Sequence, residues 1–254
     1  MTIHKSAIVS PDAHLGSGVS VGPYAVIESE TRIGDRCEIR AHSVIKRFTS
    51  LGEDNVVHEG VVLGGEPQDV SFEPCESHLR IGSRNRFREG VTVNRGTVPG
   101  SVTVIGNDCF IMTNAHVAHN CVLGDRVILA NNVALAGHVE IEDNAFLSGG
   151  VVVHQFCRVG RHAMIGGNSK IVQDCLPFVI TDGVPGTASG LNLVGLRRAG
   201  FSATEIRALK EAYRILIRSG LPLTEAIEKL GALKDERVRQ LADFIGRSQR
   251  GFCR

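Results

Sequence analysis

The sequence predicts a mainly β protein: a parallel β-helix of six-residue repeats followed by a small helical domain. Three observations predict it. Aliphatic residues recur every six positions through most of the chain. Glycine is abundant, 29 of 254 residues, whereas aromatic residues make up only 5% and tryptophan is absent. Near residue 180 the six-residue period gives way to helical spacing.

The first element is a run of ten. Val9, Leu15, Val21, Ile27, Ile33, Ile39, Ile45, Leu51, Val57 and Leu63 follow one another at steps of six. Ile81, Phe87 and Val93 resume it. Twelve more follow from Ile105 to Ile171. At a 43% hydrophobic background, twelve successive hits arise by chance on the order of once in ten thousand or less. Six matches neither the helix period of 3.6 nor a flat strand's period of two. It fits short strands joined by tight corners, three strands per coil, with coils 18 residues apart and a rise of about 4.8 Å. One aliphatic per strand points inward. The residue after it is often glycine, which suits the unusual backbone angles of corners. Cys37, Cys109, Cys121, Cys157 and Cys175 fall two positions before the aliphatic phase, where alanines also fall, and read as small core fillers.

Two segments, 65–80 and 94–104, interrupt the period without upsetting its count of six. They are expected to be loops thrown out of an intact helix over 1–180, and loops on a rigid scaffold suit ligand contact. A glycine-rich connector is expected over 181–200. A helical domain is expected over 201–254. Ser202 with Glu205 forms a capping box before Ile206, Leu209, Tyr213 and Leu216, and Gly220 ends that helix. Thr224 is expected to cap a short second helix, and Val238, Leu241, Phe244 and Ile245 mark a last one.

A net charge of +1 gives no basis for bulk nucleic-acid binding. No run of about 18 apolar residues exists, so no membrane span is expected. Seven cysteines without a C-x-x-C pair suit a reduced, intracellular protein.

Position modulo 18 gives the stacking. His119, His138 and His154 fall near one corner of three successive coils, with Gly137 and Gln155 in the column of His119 and His116 on the same coil. Three chemistries remain open for such a column. Imidazoles bind zinc, act as general bases near neutral pH, or satisfy local hydrogen bonds.

Several segments then narrow the choice. Asn114-Ala115-His116-Val117-Ala118-His119, Ala136-Gly137-His138-Val139 and Val153-His154-Gln155-Phe156-Cys157 closely resemble the acyl-carrier-protein–UDP-N-acetylglucosamine O-acyltransferases. Arg84-Asn85-Arg86-Phe87-Arg88-Glu89, Arg95-Gly96-Thr97-Val98 and Gly195-Leu196-Arg197-Arg198 extend the similarity to nearly the whole chain. The resemblance implies a left-handed parallel β-helix of hexapeptide repeats and a homotrimer. It implies acyl transfer from acyl carrier protein, a co-substrate, to the sugar 3-hydroxyl in the first step of lipid A assembly in the cytoplasm. No metal or redox cofactor is implied. His119 would be the general base and the Gly137 N–H the oxyanion donor. Asp69, Ser71, His138, His154 and Gln155 would contact the sugar nucleotide, and His116 would line the acyl or phosphopantetheine path. Asn192 and Arg198 would hold the diphosphate. Gly167 would leave room for a long acyl chain. Arginines in the tail and at 84–88 would steer the acidic carrier.

Three positions depart from the family's pattern. Ser71 stands where a lysine is common, Asn120 where an aspartate supports the base, and Ala199 where a further arginine is usual. The loss of the lysine leaves open a 3-amino analogue of UDP-N-acetylglucosamine as acceptor. More distant readings are a zinc enzyme of the hexapeptide-repeat carbonic anhydrase type and a non-catalytic sugar-nucleotide scaffold.

Overall fold

A computed structural model describes all 254 residues. Short strands, mostly of two residues, stack into three parallel sheets that form the faces of a left-handed β-helix. Face A has eleven strands, face B nine and face C eight. From Ser20–Val21 onward, each two-residue strand buries one side chain of the six-residue phase and turns its neighbour outward. Ile27, Ile45, Leu63, Ile111, Leu129 and Leu147 are among the inward residues, all at most 1% exposed. The five phase-matched cysteines join the same core, and burial pushes the Cys109 and Cys157 thiols to about 11 and Cys121 to about 12.

The repeat glycines serve a different end from the one their sequence position suggests. Left-handed corner residues are mostly Asn, Asp, His, Arg and aromatic side chains, such as Asn120, Asn132 and His138. Gly82 and Gly106 do not have positive φ. A Cβ on Gly82 would lie 2.7 Å from the Gly106 carbonyl oxygen, and one on Gly106 2.6 Å from that of Gly124. These glycines are required because one coil's backbone lies directly against the next.

Coils pair at 18-residue spacing early and late in the helix. The spacing widens to 30 across the first excursion and to 24 across the second. The loops therefore add twelve and six residues, whole numbers of repeats, which is why the count of six passes through both unbroken. Both leave the same edge, between faces B and C: the first between Val62–Gly65 and His78–Ile81, the second between Thr92–Asn94 and Val102–Ile105.

The expected connector over 181–200 is ordered structure. Val179–Gly183 extends face A beside Met164–Ile165, and Gly186–Leu191 returns antiparallel to it. Small residues hide the strand in the sequence, yet buried Gly186 and Ala188 alternate with exposed Thr187 and Ser189. A short helix, α1 (Leu193–Arg198), follows. Helix α2 (Ala203–Tyr213) carries the expected capping box and runs into a π-helical turn over Arg214–Arg218. Helix α3 (Leu223–Ala232) starts after Pro222, whose fixed φ suits a helix entry, and not at Thr224. Helix α4 (Glu236–Gly246) is capped by Asp235. Leu209, Leu230, Leu241 and Phe244 form a second core with Phe178 and Val179, which seats the helices on the end of the β-helix.

Candidate active site

The histidine column lies on the corner between faces B and C, the edge from which both excursions leave. Tight turns after His116–Val117, Ala134–Leu135 and Val152–Val153 present His119, Gly137 with His138, and His154 with Gln155 on successive coils. The His119 ring lies against Gly137: a Cβ there would lie 2.6 Å from Nε2. Gly137 is buried, and its N–H donates to no acceptor in the protein. His138 meets His119 edge to face at 5.3 Å between ring centroids and stacks on Phe156 at 4.7 Å.

Asn120 settles how His119 is held. The His119 Nδ1 lies 3.0 Å from Asn120 Oδ1. That oxygen accepts from the Thr97 backbone N–H at 3.2 Å and from the Thr97 hydroxyl at 2.9 Å. A backbone N–H only donates, so the amide atom facing it is the oxygen. In the neutral ring Nδ1 therefore carries the proton and Nε2 the lone pair.

Asp69 approaches His119 and His138 from the first excursion. The Ser71 N–H and hydroxyl both donate to its Oδ1, at 2.9 and 2.8 Å. These bonds, then the two imidazoles, hold its carboxyl below the usual range. Ser71 thus spends its hydroxyl proton on Asp69. Burial, then the neighbouring His119, lowers His116 and His138 below the ordinary imidazole value, with Asp69 opposing the shift at His138. His116 also contacts Thr92 Oγ1 at 2.7 Å. His154 and Gln155 are exposed at the rim.

The remaining expected residues lie elsewhere. Gly167 is exposed on the corner between faces A and B, and its nearest neighbour for a Cβ is the Gly149 carbonyl at 3.5 Å. Asn192 caps α1 by accepting from Gly195 N–H and donates to the His162 carbonyl, both at 3.0 Å. Arg198 is exposed in the last turn of α1. Asn192 and Arg198 line a cleft of about 730 Å³ on the outer surface of face A, with Arg126, His162 and Phe146. Arg126 and His162 were not singled out from the sequence, although their step of 36 residues, two full coils, was a usable signal.

Within one chain the column does not gather three ring nitrogens around a common point. A set of three metal-capable groups with that proximity occurs instead at His58, Glu59 and Glu89. Arg40 and Arg88 already contact His58 and Glu89 there.

Comparison with known proteins agrees with the fold. Residues 174–253 match the family described as UDP N-acetylglucosamine O-acyltransferase, domain 2. Residues 12–47 and 103–137 match the bacterial transferase hexapeptide repeat. The chain is similar to the solved UDP-N-acetylglucosamine acyltransferase of Bacteroides fragilis, at 38% identity over 100% of both chains and a TM-score of 0.98. It is similar to the Francisella novicida enzyme at 36% identity, over 100% of this chain and 94% of that one, with a TM-score of 0.97. The Moraxella catarrhalis O-acyltransferase is 39% identical over 100% of both chains, with a TM-score of 0.95. With the repeat and the helical tail both matched and relatives 36–39% identical over the whole of this chain, the chain belongs to the UDP-N-acetylglucosamine O-acyltransferase family.

Proposed function

We propose that the protein transfers a (3-hydroxy)acyl chain from acyl carrier protein to the 3-hydroxyl of UDP-N-acetylglucosamine, the first step of lipid A assembly. The observation that carries this is His119 over Gly137, with Nδ1 tied to Asn120 and Nε2 free. Nε2 takes the proton of the sugar hydroxyl as its oxygen attacks the thioester carbon. The developing oxyanion is held by the Gly137 N–H. Collapse breaks the carbon–sulfur bond, the imidazolium returns its proton to the departing thiolate, and the products are the ester and the free carrier thiol. No electron changes hands, so the step calls for no redox cofactor, and the imidazole does the work that would otherwise fall to a metal.

Asp69, His138, His154 and Gln155 surround the position the sugar takes, and His116 borders the acyl path. Ser71 acts through Asp69, and Asn192 acts by holding α1 so that Arg198 meets the diphosphate. The hydroxyl acceptor is favoured over the 3-amino analogue: the relatives are named for UDP-N-acetylglucosamine, and Ser71 is engaged with Asp69.

A homotrimer fits this reading. The histidine corner and the Arg198 cleft lie on different edges of one chain. Outward side chains on the later strands of face A (Phe110, Ile128, Phe146, Met164) and on much of face B (Val26, Val44, Ala134, Val152) are apolar. Face C turns out Arg32, Arg80, Glu140 and Arg158. Packing face A on a neighbour's face B in a closed ring covers the apolar surfaces and joins the two half-sites. With an acidic carrier and a nucleotide sugar as substrates, the reaction belongs in the cytoplasm.

The test is mass analysis of products from a set of acyl-carrier donors with UDP-N-acetylglucosamine. An O-acylated sugar nucleotide is expected. The His119→Ala variant should lose about a hundredfold or more in rate. Near-normal turnover by that variant removes His119 from the role of base, and sugar-nucleotide binding without acyl product leaves only a binding scaffold.

A further inference from the structure

The segment Arg95-Gly96-Thr97 opens the second excursion, and the chemistry above gives it no part. It touches both halves of the histidine corner. On one side, Arg95 is buried, its side chain 5% exposed. Its Nε donates to Ser77 Oγ at 3.1 Å, and its Nη2 lies 3.4 Å from Glu66 Oε1 and 3.5 Å from the Cys75 carbonyl. Glu66 begins the first excursion, and Cys75 and Ser77 end it. The guanidinium also faces the Phe72 ring, inside that loop, at 5.5 Å. Backbone bonds add to the clamp: Arg95 N–H to the Gly65 carbonyl at 2.9 Å, and Gly100 N–H to the Glu76 carbonyl at 2.8 Å. The loop so closed is the one that carries Asp69.

On the other side, Thr97 gives two donors to Asn120 Oδ1, the oxygen that holds His119. Gly96 between them admits no side chain, because a Cβ would lie 2.7 Å from the Ser101 carbonyl carbon and oxygen. The segment therefore turns tightly enough for adjacent residues to reach opposite sides of the site.

We propose that the second excursion is the positioning element of the site: Arg95 places Asp69 by closing the first loop, and Thr97 sets the His119 tautomer by orienting the Asn120 amide. A neutral amide oxygen accepts a hydrogen bond from Nδ1–H, more weakly than a carboxylate but with the same effect on the tautomer, provided the oxygen and not the NH2 faces the ring. Without that restraint the amide is free to turn over, Nδ1 becomes an acceptor, and the proton moves to Nε2, where it blocks base catalysis. The charged and titratable groups facing His119 are Asp69, His116 and His138. None of these takes over the bond to Nδ1. The inference rests on His119 being the base, but its first readout does not.

That readout is the ¹⁵N spectrum of the labelled histidine imidazoles in the full-length protein at neutral pH, with His119 assigned by its loss in His119→Ala. The wild type should show His119 protonated at Nδ1. Thr97→Val removes the shorter, hydroxyl bond and leaves the backbone N–H at 3.2 Å, so it should bring in a fraction of the Nε2–H form and lower kcat about three- to tenfold with KM for the sugar nucleotide nearly unchanged, and Thr97→Ser should restore both. Arg95→Met, which keeps the packing against Phe72, should instead raise that KM about tenfold with a smaller change in kcat. It should also speed hydrogen exchange at 66–77. A wild-type His119 protonated at Nε2, a Thr97→Val spectrum like the wild type, or an Arg95→Met variant with unchanged KM overturns the proposal. Should Thr97→Val shift the tautomer while His119→Ala stays active, it is the assignment of the base that fails, and the positioning stands.

Discussion

At the residue scale, burial decides which groups are reactive. Six of the seven cysteines are buried, and Cys75, at the neck of the first excursion, is half-buried. Desolvation holds Cys37, Cys109, Cys121 and Cys157 as neutral thiols. The thiolate is the reacting form, so titration of the native protein with a disulfide reagent should label Cys75 first. The core cysteines should react only after denaturant is added. Rapid labelling of several thiols in the native state would contradict this packing. The sequence already assigned the core cysteines by their phase alone. It did not show that Asn120 replaces an expected carboxylate with an oriented amide, because the orientation comes from Thr97, 23 positions away.

At the element scale, a strand contributes one residue inward and one outward, so each corner-to-corner face has its own chemistry. The His119 corner and the Gly167 corner are the two edges of face B, and Ala134 and Val152 lie between them. An acyl chain that starts at His119 and crosses face B ends beside Gly149 and Gly167. Gly167 has no positive φ, and a Cβ there would be in ordinary contact, 3.5 Å from the Gly149 carbonyl oxygen, so if the chain takes this path a side chain at 167 is expected to shorten it. Gly167→Leu should fold normally and shift donor preference toward shorter acyl chains by about tenfold or more in relative kcat/KM. Competition between long and short acyl-carrier donors reads this out, and an unchanged preference would remove Gly167 from the acyl path. The repeat made the strands legible, whereas the hairpin over Val179–Leu191 was obscured by its Gly, Ala, Ser and Thr content.

At the scale of the whole molecule, four histidines are pushed below their ordinary value mainly by burial: His58, His116, His138 and His162. Their unfolded-state value is about 6.5. As pH falls through it, the unfolded chain takes up protons that the native state resists, so stability falls. The effect is absent well above that pH and grows on acidification. Carboxylates such as Glu89, held to about 2 by Arg88, extend the loss to lower pH, because the unfolded chain protonates them first. Urea midpoints should therefore drop between pH 8 and pH 5.5, and further toward pH 4. A flat profile across the first interval would show that these imidazoles are not desolvated in the native state.

The β-helix, its helical tail and the corner on which His119, Gly137 and Gln155 align all follow from counting along the chain. A six-residue period leaves little geometric freedom, and stacking follows from counting by 18. Its low aromatic content follows from the same cause, since a narrow coil has room for one aliphatic per face. Only the tertiary structure decided what the glycines do, that both excursions leave from the histidine edge, and that Arg95 and Thr97 reach its two sides. It also separated Asn192 and Arg198 from that edge. Loop paths and hydrogen-bond directions depend on contacts between residues far apart in the chain, and no local period encodes them.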